Sequence, residues 1–297
     1  VPRTGASVVA ALNPVRIGRV HQHHARRDIG REQLVDQLAR AAAEPDFDIR
    51  FATTGEDEEI HALAAQADFL LVGPVPVTAA LIAHCHKVRL IQKYGVGIDK
   101  VDLDAARRAG IRFAIAAGGN AAPVSELTLA LMLAVGRRMV YADRRTREGQ
   151  WPRTEMRSTC FQLDGKTVGL FGFGAIARAT ARRLAGFDVR IVYHSRSRAD
   201  AALEASLGVE YVSFDELLSG SDILSLHAPL TAETHHVINA TTLARMKRGA
   251  ILVNTARGGL VDEVALVDAL RNAQAAPGKD DANAPLMPQM VSQLGWL

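Results

Sequence analysis

Cysteine is scarce: Cys85 and Cys160 are the only two in 297 residues. Two are too few for a disulfide framework, and neither has a CxxC or Cys/His ligand spacing, so a reducing, cytoplasmic compartment is expected. Long apolar runs are also missing. The richest, Leu127 to Val135, falls well short of the ~18 to 20 residues that cross a bilayer, and Val1 to Ser7 has no signal-peptide pattern. No membrane association is expected. Blocks of like charge are absent too: the net charge is only +3, with Arg and Lys spread among Asp and Glu, which argues against a nucleic-acid partner. There is no internal repeat and no long low-complexity tract. His21, His23 and His24, like His84, Cys85 and His86, lie close together, but neither cluster has a second ligand pair at a known spacing, so no metal is expected. Against these absences, 48% hydrophobic residues and 24 glycines are ordinary for a globular protein of about two domains.

The first region, to about Ala117, alternates helical stretches with short apolar runs such as Ala67 to Gly73 and Val88 to Gln92, an α/β pattern. Residues 121–138 then read as one helix, apolar on nearly every side. Such a helix must be covered all round, either between domains or in a subunit contact, and a homodimer is expected through it. A basic, exposed stretch follows around Arg144 to Arg153. A second α/β region shows continuous apolar strands at Thr167 to Phe171, Val189 to Tyr193, Asp222 to His227 and Ala250 to Asn254. Strands of this kind, spaced by helices, indicate a doubly wound parallel sheet covered on both faces. The expected architecture is therefore a smaller α/β domain over 1–117 and a larger one over 118–272. The chain begins with Val rather than Met. Beyond Asn272 the periodicity is lost and three prolines appear, so 273–297 reads as an irregular tail lacking the next strand, and the sheet as incomplete at that end.

Directly after Thr167 to Phe171 comes Gly172-Phe173-Gly174-Ala175-Ile176-Ala177. A lone GxGxxA is weak, but here a strand precedes it, a helix follows, and a second strand closes the unit within about 30 residues, the context of a dinucleotide fingerprint. Gly172 permits the tight turn, Gly174 lets backbone approach a pyrophosphate, and Ala177 lets the helix pack on the strand, with Ala175 and Ile176 at the positive helix end. An NAD site usually has an Asp or Glu at the end of the second strand, but this sequence reads His194-Ser195-Arg196-Ser197-Arg198. With no carboxylate there to repel a 2′-phosphate, and with Ser195 and Arg196 or Arg198 able to bind one, NADP is expected over NAD.

The chain at this point resembles the D-isomer-specific 2-hydroxyacid dehydrogenases, which include phosphoglycerate dehydrogenase and hydroxypyruvate/glyoxylate reductases. The resemblance runs from about Leu70 to Asn272. It rests on Tyr94-Gly95-Val96-Gly97-Ile98-Asp99, the Gly118 to Met132 segment, the glycine loop, His227-Ala228-Pro229-Leu230-Thr231, and the stretch from Asn254 to Asp262. It implies a flavodoxin-like substrate domain beside a Rossmann-type one, and hydride transfer between a nicotinamide cofactor and a small 2-oxo or 2-hydroxy acid. It further implies that Val96 and Gly97 hold the substrate carboxylate, with Val96 also near the nicotinamide. By the same resemblance Ala228, Pro229, Thr255 and Ala256 line the cofactor cleft, and Arg257 is the catalytic and substrate-binding arginine.

The sequence departs from the family at one point. The histidine acid and its carboxylate partner normally follow the arginine, yet no histidine follows His236 and no Glu matches. The chain is therefore read as a C-terminally truncated member with weak or no turnover. Two alternatives remain open: a catalytically silent nucleotide-binding or interaction protein, and an NAD-linked phosphoglycerate dehydrogenase. His227 precedes the cofactor-lining loop and is not at the acid's position. His235 and His236 read as solvated loop residues, and the two cysteines as small packing residues.

Overall fold

The computed structural model describes residues 6–11, 47–52, 54–73, 75–275 and 290–292. The chain divides into two units, Val1–Gly119 and Asn120–Leu297. The His21, His23 and His24 cluster lies outside the described residues.

The first unit is built on five parallel strands, β1 (Ala6–Ala11), β2 (Phe47–Phe51), β3 (Phe69–Val72), β4 (Leu90–Lys93) and β5 (Arg112–Ile115). Their order, β2-β1-β3-β4-β5, is that of flavodoxin-like sheets. Three helices connect them: α1 (Asp57–Ala64), α2 (Ala79–His84) and α3 (Leu103–Arg108). Thr78 and Asp102 start α2 and α3 by accepting from the backbone N–H groups of Leu81 and Ala105, which satisfies donors that a helix start leaves open. Ile60, Ala64, Val72, Leu81, Ile91 and Ala106 form the core.

The second unit opens with α4 (Ala121–Gly136), α5 (Met139–Arg147) and α6 (Arg153–Thr159). The expected helix over 121–138 ends at Gly136, because Arg138 takes a left-handed conformation, φ +49°, and turns the chain into α5. α4 is also less uniform than its apolar sequence implies: Val124, Thr128, Met132 and Val135 are buried, while Glu126 on another face is exposed. The strands β6 (Thr167–Phe171), β7 (Arg190–His194), β8 (Val209–Tyr211), β9 (Ile223–Leu226), β10 (Ile251–Asn254) and β11 (Met290–Ser292) then form one parallel sheet. Between them lie α7 (Ala175–Leu184), α8 (Ala201–Leu207), α9 (Phe214–Gly220), α10 (Ala240–Arg245) and α11 (Glu263–Ala275).

The strand order β8-β7-β6-β9-β10-β11 is the 3-2-1-4-5-6 order of Rossmann sheets. One expectation is corrected here. The tail is not wholly irregular and the sheet is not missing its last strand: β11 lies parallel to β10, with Leu252 opposite Met290 and Asn254 opposite Ser292. This strand was hidden because a three-residue edge strand, preceded by proline-rich chain, has too short a run to show periodicity. β10 is accordingly an inner strand of the sheet.

Each face of the sheet carries its own core. Met132, Leu170, Ala177, Leu184, Tyr193 and Ile251 pack on one side, and Leu217, Leu218, Leu224, Leu226, Leu252 and Leu260 on the other. β9 and β10 are buried at every position, which is why they read as continuous apolar runs. Gly169, in the middle of β6, lacks a side chain because Ser221 and Leu217 occupy that space.

Candidate active site

In the second unit the chain turns one way from β6 through β7 to β8 and the other way through β9 and β10, so the ends of β6, β7, β9 and β10 meet at the switch point of the sheet. Ligands of open parallel sheets bind at this place. The residues singled out in the sequence for the larger domain lie on the loops that leave these four strands.

The glycine loop leaves β6. Gly172 has φ +90°, and a Cβ there would lie 2.7 Å from the Ala228 backbone nitrogen, so the loops after β6 and β9 touch through backbone only where glycine allows it. The Gly172 N–H donates to the His194 carbonyl at 2.8 Å and the His227 N–H to the Phe171 carbonyl at 2.7 Å, which ties three strand ends together. Gly174 is the N-cap of α7. It supplies no capping side chain, and a Cβ on it would meet open space. The first turn of α7, with Ala175, Ile176 and Ala177, therefore keeps unfilled N–H donors at the positive end of a ten-residue helix. Ala177 is fully buried against the core. An open backbone cradle, uncapped donors and a small third residue fit a dinucleotide pyrophosphate.

The turn after β7 differs from the sequence reading in three respects. The Ser195 hydroxyl donates to the Ser197 carbonyl at 2.5 Å, so its hydrogen is already used. Arg198 is engaged by Glu204 through two bonds, Nε to Oε1 at 2.9 Å and Nη2 to Oε2 at 2.7 Å. The strand end is not free of carboxylate, because Glu204 folds back from α8 and accepts the Tyr193 hydroxyl at 2.6 Å. The Arg198 guanidinium, and after it the Tyr193 hydroxyl, hold the Glu204 carboxyl down at about 2. Arg196 is exposed and makes no hydrogen bond or ion pair among the described residues.

After β9, Ala228 is buried and Pro229 exposed. The loop is closed by Thr234, whose hydroxyl donates to the Pro229 carbonyl at 2.7 Å and accepts the Thr231 N–H at 2.8 Å. His227 stands 3.0 Å from the Ser225 hydroxyl, and burial pushes its imidazole down to about 4. His235 and His236 stack on each other with ring centroids 3.8 Å apart.

After β10, the buried Asn254 side chain fastens the next turn by donating to the Arg257 carbonyl at 2.8 Å and accepting the Ala256 N–H at 3.0 Å. The Thr255 hydroxyl is buried against that of Thr128 on α4, 2.9 Å away. Arg257 is half-buried with an extended backbone, and its guanidinium donates to the Ala256 carbonyl at 2.8 Å. In the first unit, Val96 and Gly97 lie in the loop after β4, both half-buried. This loop is fixed by the Tyr94 N–H to the Val72 carbonyl, 2.8 Å, and by the buried Lys93 ammonium to the Gly73 carbonyl, 2.6 Å.

Among the described residues no group of three or more His, Cys, Asp or Glu is placed to hold a metal ion, and no helix is long and apolar enough to cross a membrane. Cys85 is buried, which pushes its thiol up to about 11.

Residues 129–281, just over half of the chain, match the family model of the NAD-binding domain of D-isomer specific 2-hydroxyacid dehydrogenases. The chain belongs to this family. It is 42% identical over 200 residues to a glyoxylate reductase of Thermococcus litoralis, covering 66% of this chain and 60% of the relative. It is 38% identical over 243 residues to a D-3-phosphoglycerate dehydrogenase of Mycobacterium leprae, covering 80% of this chain and 46% of the relative. The chain thus spans about half to three-fifths of the length of these two proteins. Among solved structures, a Granulicella formate dehydrogenase superposes with a TM-score of 0.76 at 28% identity, covering 96% of this chain and 87% of that one.

Proposed function

We propose that the chain is an NAD(P)-dependent oxidoreductase of the D-2-hydroxyacid class that prefers NADP and takes a small 2-oxo acid of the hydroxypyruvate or glyoxylate kind. The observation that carries this reading is the meeting of four strand-end loops at the switch point of one parallel sheet: the open Gly172–Gly174 cradle, the Ser195–Arg196 turn, Ala228–Pro229 and Thr255–Arg257.

When bound, the nicotinamide supplies the hydride that reduces a keto carbon. Gly172 makes the tight turn, and Gly174 with the first N–H groups of α7, from Ala175, Ile176 and Ala177, holds the pyrophosphate. Arg196 meets the 2′-phosphate, while the Ser195 hydroxyl, spent on the Ser197 carbonyl, shapes the turn. One such charge-assisted contact contributes about 1.5 to 3 kcal/mol, or roughly one to two powers of ten in preference over NAD. Ala228, Pro229, Thr255 and Ala256 line the cofactor's path. The Arg257 guanidinium, a planar fork, pairs with the carboxylate and carbonyl oxygen of a 2-oxo acid.

Among the described residues this reading assigns no proton donor for the carbonyl oxygen. No histidine follows His236, and His227, held down to about 4 by burial, is neutral at pH 7. Turnover by the 297-residue polypeptide is therefore expected to be about two to four powers of ten below that of an enzyme with a placed acid. Titration with NADPH and NADH, followed by nicotinamide fluorescence, tests the cofactor reading, and reduction of hydroxypyruvate and glyoxylate tests the rest. Tighter NADPH binding with slow turnover is the expected result. Fast turnover would overturn the missing-acid reading. A clear NADH preference with oxidation of 3-phosphoglycerate would move the assignment to the phosphoglycerate dehydrogenases, which the relative from Mycobacterium leprae equally supports. Binding without any turnover would leave a nucleotide-binding protein. Self-association as a homodimer is part of this reading, and gel filtration checks it.

A further inference from the structure

The buried carboxylate of Glu204 lies directly under the turn to which the cofactor's 2′-phosphate is assigned. Its side chain is 9% exposed, while the Arg198 side chain that covers it is 62% exposed. Both guanidinium contacts are short, and Arg198 also lies over the Tyr211 ring, 5.7 Å from its centroid. Tyr193 completes the arrangement: its hydroxyl donates to Glu204 and accepts the Ala199 N–H at 2.8 Å, which fixes the far end of the turn. The Tyr211 hydroxyl reaches the Ser195 carbonyl at 3.5 Å, and His194 Nδ1 lies 3.0 Å from the Val212 carbonyl. The turn that carries Arg196 is thus held from below, and the buried charge beneath it is negative.

A negative charge at the end of the second strand is what Rossmann sites use to reject a 2′-phosphate, and Glu204 brings one from α8 to beneath the turn that follows that strand. We propose that Arg198 is a positioning residue for cofactor selectivity that acts as a charge shield: it neutralises Glu204, so that the turn above can accept a 2′-phosphate, and it does not itself contact the phosphate. The low titration point of Glu204 is in keeping with a carboxylate that stays charged and paired at all working pH values. Of the other acids near the turn, Asp200 is taken up by the Leu203 N–H at the start of α8, and Glu233 is held below the usual carboxylate range first by the Thr231 hydroxyl and only last by the charge of Arg196. It leaves Arg196 without an ion pair among the described residues. This inference rests on the NADP reading above.

The test is a double-mutant cycle on the full chain, with dissociation constants for NADPH and NADH measured by nicotinamide fluorescence. Arg198→Met removes the shield and is expected to raise the NADPH Kd about tenfold while NADH changes less than about twofold. Arg198→Met/Glu204→Gln removes shield and charge together, and is expected to return the NADPH Kd to within about threefold of the native value. Glu204→Gln alone, which keeps a partner for Tyr193, is expected to bind NADPH within about threefold of native. This single variant keeps the question answerable if Arg198→Met is poorly folded, since an NADPH Kd raised tenfold in it would show that the carboxylate helps the phosphate and would overturn the shield. A double variant no better than Arg198→Met would mean that Arg198 touches the phosphate directly. Equal losses for both cofactors would mean that only the shape of the turn matters. Either result overturns the proposal. Each cofactor is read as a change from its own native Kd, so the cycle reports on the shield even if the native chain favours NADH. The underlying NADP reading fails separately, through the native preference and through Arg196→Gln.

Discussion

Two glycines of one loop have opposite requirements, and substitution separates them. At Gly172 a side chain would have to pass through the Ala228 backbone in a left-handed conformation, so Gly172→Ala is expected to destabilise the second unit by about 2 kcal/mol or more. Thermal melting without any dinucleotide reads this. At Gly174 there is open space and an ordinary extended backbone, φ −79° and ψ −166°. Gly174→Val is therefore expected to leave the dinucleotide-free melting temperature within ~2 °C of native while weakening cofactor binding at least ~tenfold, because the branched side chain fills the cradle. Unimpaired binding by Gly174→Val would remove this loop from the site. Arg196→Gln is expected to weaken NADPH by about tenfold and leave NADH unchanged, the loss of one charge-assisted contact.

At the scale of elements, the sequence disclosed what is buried on both sides. β6, β9 and β10 are apolar at nearly every position and were readable within a residue or so of their observed bounds. β8 (Val-Glu-Tyr) and β11 (Met-Val-Ser) are three-residue strands towards or at the sheet margins, too short for any period. The same limit applies to the turn after β7. A scan for an acid at the strand end finds none, because Glu204 comes eleven residues after Tyr193 and returns only when α8 packs back. The contact between Thr128 and Thr255 spans 127 residues and leaves no local trace at all. β11 supplies a test of its own. A chain ending at residue 288 would uncover the β10 ladder, and an open parallel edge invites pairing with other chains. Concentration-dependent association on gel filtration, with a lowered melting temperature, is expected. A monomeric shortened chain of unchanged stability would show that β11 contributes nothing.

For the whole molecule the titrations set a pH window. His227 has its folded-state value pushed down to about 4, so the unfolded chain binds the extra proton first, and stability falls as pH drops from about 7 towards 4, by at most ~3 kcal/mol. Glu204, held at about 2, adds a loss that begins near pH 5 and continues downward. On the alkaline side, Cys85 keeps its proton to about 11 in the folded chain, so stability declines above about pH 9 as the unfolded thiol ionises. Melting temperature should form a plateau between about pH 7 and 9, with a steeper acid limb. His227→Asn should flatten that limb between pH 7 and 5, and an identical limb in this variant would contradict the assignment.

The uncapped start of α7 has a consequence for how this protein's stability is to be understood. In the proposed site, donors that no side chain among the described residues caps are met by a ligand that the unfolded chain does not bind, and binding of that kind adds to the free energy of unfolding. At a hundredfold excess over its dissociation constant, a dinucleotide adds about 2.7 kcal/mol. The thermal resistance of this chain is thus a variable set by the surrounding dinucleotide pool, and a drop in that pool would expose the protein to unfolding before any change in the protein itself.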